Sequence, residues 1–96
     1  MPAVIRSFKN TQTEAVWDGR VVRGLPGDIQ AVARRKLRML HAAQNVQDLR
    51  VPPGNRLEVL SRDRKGQHSI RINDQWRICF VWKADGAHDV EVVDYH

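Results

Sequence analysis

The chain has 96 residues, 42% of them hydrophobic and 28% charged, which bounds it to a single domain spanning 1–96 with a real but small core. Sixteen Lys and Arg against eleven Asp and Glu leave a net charge of +5, a surplus that favours a polyanionic partner, nucleic acid first, without separating RNA from DNA. The lone cysteine, Cys79, excludes an internal disulfide. With no signal peptide and no apolar run near the ~20 residues of a membrane span, the expectation is a cytoplasmic protein with no membrane partner.

Val4 to Phe8 reads as a short strand. Thr11 and Glu14 have capping-box spacing, which predicts a short helix running through Trp17 and ended by Gly19. Arg20 to Gly27 is a loop broken by Gly24, Pro26 and Gly27. From Asp28 to about Ala43, Ile29, Val32, Ala33, Leu37 and Leu40 recur at helical spacing and form one apolar stripe. Arg34, Arg35, Lys36 and Arg38 fall mostly outside that stripe and read as a solvated helix face. Pro52-Pro53-Gly54 breaks the loop from Leu49 to Asn55.

The second half is strand-like. Leu57, Val59 and Leu60 mark a strand closing at Ser61, and Arg62 to Gly66 is a basic turn. Ser69 to Ile72 alternates, and Asn73-Asp74 sits where a tight hairpin turn needs residues that tolerate positive φ. Trp76, Ile78, Phe80 and Trp82 alternate with Arg77, Cys79, Val81 and Lys83, the pattern of a half-buried strand whose aromatic side chains are core. Asp85-Gly86 signals another turn, and Val90 to Tyr95 a last strand. The resulting β-α-α-β-β-β-β order is an α+β architecture with the helices packed on one face of an antiparallel sheet.

The stretch Arg64-Lys65-Gly66-Gln67-His68-Ser69-Ile70-Arg71-Ile72-Asn73-Asp74-Gln75-Trp76-Arg77-Ile78 resembles the core motif of the HigB toxins. The ending Val93-Asp94-Tyr95-His96 is similar to their terminal Asp-Tyr-His. Ile5-Arg6-Ser7-Phe8, the helical segment Arg35 to Leu40, and Pro52 to Leu57 match in the same order. This resemblance, which covers nearly the whole chain, implies the RelE/ParE superfamily fold. It also implies a ribosome-dependent endoribonuclease that cleaves messenger RNA in the A site and inhibits translation. The partners it implies are the 70S ribosome, messenger RNA and a HigA-like helix-turn-helix antitoxin, with operator DNA reached only through that antitoxin.

Metal-free RNA cleavage uses the adjacent 2′-hydroxyl as nucleophile and needs a base, an acid and cations for the transition-state charge. The resemblance places Asp94, Tyr95 and His96 in this site, His96 as the proton-transfer group because imidazole titrates near neutrality. Tyr95 could orient or stack on the substrate, and Asp94 could fix the imidazole. Arg77 is the candidate for stabilising phosphate charge, with Arg62, Arg64, Lys65 and Arg71 as RNA-binding cations. Some family members carry a histidine where this chain has Glu58, so Glu58 could be the base and the acid–base assignment stays open. His41, His68, His88 and Cys79 lack metal-ligand spacing, and no metal or other cofactor is expected. The rival readings are a binding toxin of the ParE type that inhibits DNA gyrase, and a plain RNA-binding module.

Overall fold

The computed structural model describes residues 4–94. It contains β1 (Val4–Ile5), α1 (Thr11–Trp17), α2 (Gly27–Ala42), β2 (Glu58–Val59), β3 (His68–Arg71), β4 (Trp76–Lys83) and β5 (Gly86–Asp94). Of three 3-10 turns, Pro53–Asn55 lies in the expected loop and Arg62–Arg64 in the expected basic turn, while Val46–Arg50 begins ahead of the loop read from Leu49. The five-stranded sheet has the order β1-β5-β4-β3-β2. β2 to β5 pair antiparallel, whereas β1 lies parallel on β5, so the sheet is mixed rather than wholly antiparallel. The α+β class and the element order are as the pattern of apolar residues predicts.

The helices cover one sheet face. Val16, Ile29, Ala33, Leu37 and Leu40 pack with Ile70, Ile78, Phe80, Val90 and Val92 into one core, so the helical stripe and the strand alternation meet. α2 departs from its expected pattern at Lys36, which is buried at 7% exposure rather than solvated. Its Nζ donates to the buried Asn55 Oδ1, which satisfies a group that would otherwise be costly to bury.

Local signals shift by a residue or two. Asn10, not Thr11, caps α1: its Oδ1 accepts the Thr13 N–H at 2.8 Å. Gly19 ends α1 as expected, at φ 81. At the β3–β4 hairpin neither Asn73 nor Asp74 has positive φ. Instead the Asn73 Oδ1 accepts the N–H groups of Gln75 and Trp76 at 2.9 and 2.8 Å, so the side chain ties the turn together beside the backbone bonds from Ile72 and Asn73 to Trp76 O. The β4–β5 turn is Ala84-Asp85, with Gly86 already paired to Lys83. Val59 is 75% exposed while Leu60 is buried; both residues of the short β2 are exposed, and the inward residue, Leu60, follows it.

The N-terminal segment closes the far edge of the sheet. Arg6 N–H donates to Ala87 O at 2.7 Å, Val90 N–H to Ser7 O at 3.0 Å, and Lys9 N–H to Val90 O at 2.9 Å. Asp89 and Val90 together oppose Phe80, a β-bulge with Asp89 at φ 51. The Ser7 hydroxyl accepts the Asp89 N–H at 2.8 Å, pairing the amide that a bulge leaves over. Further along, the buried Thr13 Oγ1 accepts the Val92 N–H at 3.0 Å. The edge of β5 is thus covered by ten residues of chain rather than left open.

Candidate active site

The sheet face turned away from the helices carries polar residues in register. Glu58 opposes Ser69, Ser69 opposes Cys79, and Cys79 opposes Glu91. One step along, Arg71 opposes Arg77 and Arg77 opposes Val93. Directly opposed residues share a face, so Glu58, Ser69, Arg71, Arg77, Cys79 and Glu91 lie together. Here β4 departs from the expected half-buried pattern: Arg77 and Cys79 are buried along with Ile78 and Phe80.

Arg77 is the most constrained of these cations, with 9% of its surface exposed. Its Nε donates to the buried Ser69 Oγ at 2.8 Å and its Nη2 to the Arg56 carbonyl at 2.7 Å. The Glu58 carboxylate stands 3.8 Å from the same Nη2. Arg56 can offer that carbonyl because it sits in the left-handed region, φ 45 and ψ 59, as the Pro53–Asn55 turn ends. The Ser69 hydroxyl and the Arg56 carbonyl fix the guanidinium in place, and an ordered cationic donor of this kind can stabilise charge appearing on a bound phosphate.

The other cations surround it. Arg71 pairs with the exposed Asp74 carboxylate. Arg64 Nη1 bridges Glu91 Oε1 and Gln67 Oε1, both at 3.2 Å. Arg62, at φ 57, and Lys65 are exposed on the Arg62–Arg64 turn and its cap. An open recess of about 390 Å³ runs along Glu58, Ser61, Arg62, Asp63 and Arg64. Burial pushes the Cys79 thiol pKa up, with Arg64 pulling the other way, and the side chain is fully buried, which disfavours the reactive thiolate. Lys36 has its ammonium pKa lowered by burial and by the charges of Arg35 and Arg71.

Glu58, Arg64, Arg71 and Arg77 are therefore brought together, with Arg62 and Lys65 at the rim. Asp94 is not on this row: it opposes Trp76 in the ladder, is exposed, and accepts from Gln75 Nε2 at 3.0 Å. Tyr95 and His96 lie outside the described residues. Sequence reasoning assigned no part to Ser69 or to the Arg56 carbonyl. The signal for Ser69 was available in its two-residue spacing from Arg71 on an alternating strand. A backbone oxygen leaves no such signal.

The chain matches over residues 6–96 a family model described as the RelE-like toxin of type II toxin–antitoxin system HigB. It is 42% identical over 90 residues to Toxin HigB-1 of Vibrio cholerae serotype O1, covering 93% of this chain and 94% of that protein. It is 28% identical over 97 residues to Endoribonuclease HigB of Proteus vulgaris, covering 97% of this chain and all of that protein. A Haemophilus influenzae protein without an assigned function is 41% identical over 66 residues, 69% of this chain and 65% of that protein.

Proposed function

The chain belongs to the HigB-like family of RelE-like toxins from type II toxin–antitoxin systems, and we propose that it is an endoribonuclease cutting messenger RNA in the ribosomal A site without a metal ion. A type II toxin has an antitoxin partner; we take it to be a helix-turn-helix protein that also carries the pair to operator DNA. The cytoplasm, where ribosomes are, is the proposed place of action. The observation that carries the reading is the Arg71–Arg77 pair, two cations directly opposed on one sheet face. Like charges so placed repel; the Asp74 and Glu58 carboxylates offset part of that, and a polyanion laid across the pair lowers it further. The name of the Proteus vulgaris relative supports the nuclease assignment.

In the proposed reaction the 2′-oxygen attacks the adjacent phosphorus and gives up its proton to a base. The 5′-oxygen leaves with a proton from an acid, yielding a cyclic phosphate and a 5′-hydroxyl end. Arg77, already ordered by Ser69 and Arg56, meets the charge that grows on the non-bridging oxygens. His96 and Glu58 share the proton transfers, Tyr95 holds the substrate, and Asp94 orients the terminal residues. Arg62, Arg64, Lys65 and Arg71 hold phosphates of messenger or ribosomal RNA. A site with few strong acid–base groups gains most from a substrate already positioned, which the ribosome supplies.

The test is cleavage of end-labelled messenger RNA by purified toxin, with and without programmed ribosomes, in EDTA-treated and untreated samples of toxin. Cuts within the A-site codon only when ribosomes are present, unaffected by prior chelation and lost in His96→Ala, support the proposal. A His96→Ala protein that still arrests growth overturns it. Inhibition of gyrase supercoiling by that protein would then identify a binding toxin.

A further inference from the structure

The Arg56 carbonyl that holds Arg77 belongs to a turn with its own buried anchor. Asn55 is fully buried. Its Oδ1 accepts from Lys36 Nζ of α2, and its Nδ2 donates to the Leu49 carbonyl at 3.2 Å and toward the Val51 carbonyl at 3.4 Å. Its own N–H donates to Pro52 O at 2.9 Å, and the next N–H, of Arg56, to Pro53 O at 3.1 Å. Asparagine is the residue type that can do this, because one short side chain offers an acceptor to an ammonium and donors to carbonyls.

We infer that Asn55, with Lys36, is a positioning residue that sets the Arg77 guanidinium through the Arg56 carbonyl. The inference rests on the nuclease reading for its consequence and on this geometry for its cause. Without the Asn55 amide, the Leu49 and Val51 carbonyls and the Lys36 ammonium lose their shared partner. The turn then keeps only its two backbone bonds, to Pro52 O and Pro53 O, to hold Arg56 at positive φ, and the carbonyl 2.7 Å from Arg77 shifts. Asn55 is buried and need not touch RNA, so its effect belongs to the chemical step rather than to ribosome binding.

The experiment is a double-mutant cycle in single-turnover cleavage on programmed ribosomes. Asn55→Ala is expected to slow the step by roughly 10- to 100-fold, as a misplacement near 1 Å does, with half-saturating ribosome concentration unchanged. In an Arg77→Ala background it should slow cleavage no further. The same loss in both backgrounds, or a shift in half-saturation alone, overturns the inference. A second arm does not depend on cleavage: the Arg77 Nε–Hε cross-peak of the free protein should shift or broaden in Asn55→Ala, and an unchanged peak overturns the inference. If wild-type protein cuts nothing, the nuclease reading fails while this arm still decides the geometry. Should Asn55→Ala not fold, Asn55→Asp keeps the Lys36 acceptor and removes the donors, and the same outcomes apply.

Discussion

At the scale of single residues, Arg77 combines requirements that no other side chain meets. Its fork reaches the Ser69 hydroxyl from Nε and the Arg56 carbonyl from Nη2, and an ammonium on a flexible stem cannot span both. Arg77→Lys is therefore expected to keep the charge and still lose cleavage by roughly 100-fold or more. Retention of near wild-type rate would mean that charge alone suffices. His68 gives a prediction about pH. Its ring stacks on Phe80 at 5.9 Å, and its Nδ1 is buried with no hydrogen-bond partner among the described residues. Burial holds its pKa below the ordinary histidine value. The folded state thus binds fewer protons than the unfolded state as pH falls through about 6.5. Stability from this group is present above that pH and is lost below it. The thermal stability of the wild type should fall from pH ~7 to ~5, and His68→Phe should flatten that dependence. Parallel curves for the two proteins would show that other groups set it.

At the scale of elements, β1 is the most exposed to a single change. Among the described residues its ladder covers Val4 and Ile5, and a Cβ on Gly86 would lie 2.1 Å from the Val4 carbonyl oxygen. Gly86 also sits at φ 134, where side chains are strained. Gly86→Ala is expected to cost about 3 kcal/mol in denaturant unfolding. Amide exchange should accelerate at Arg6, whose N–H is bonded to Ala87 O, before it does in the middle of β4. Equal acceleration throughout would mean that the edge does not open by itself. Sequence reading places each element because periodicity and breakers are local. It misplaces the details of turns, as at Asn73, because an amide side chain can satisfy a turn in more than one way.

At the scale of the whole molecule, the chain carries a net charge of +5, and Arg64, Arg71 and Arg77 bring cations to the sheet face that the helices leave uncovered. Binding to ribosomes should weaken steeply with salt. Engagement of about three phosphates would lower affinity roughly 40-fold from ~50 to ~200 mM salt. A flat dependence would place the contact away from the cationic face. On the helix side, no helix among the described residues is long and apolar enough to cross a membrane.

The sequence by itself determined the element order, the helix-facing core and the family, because apolar period, breakers and motif order are written along the chain. It also named Glu58, Arg64, Arg71 and Arg77, through the resemblance of the surrounding motifs to the HigB family. Only the tertiary structure decided the rest. The parallel pairing of β1 with β5, and Ser7 completing the Asp89 bulge, join residues about eighty positions apart. Lys36 reads as solvated in its own helix and is buried because Asn55 comes to meet it. The Arg77 clamp is completed by a backbone carbonyl, and every residue has one of those. What distinguishes Arg56 is its position at the end of a turn anchored by Lys36 and Leu49, and such positions are fixed only when the chain closes on itself.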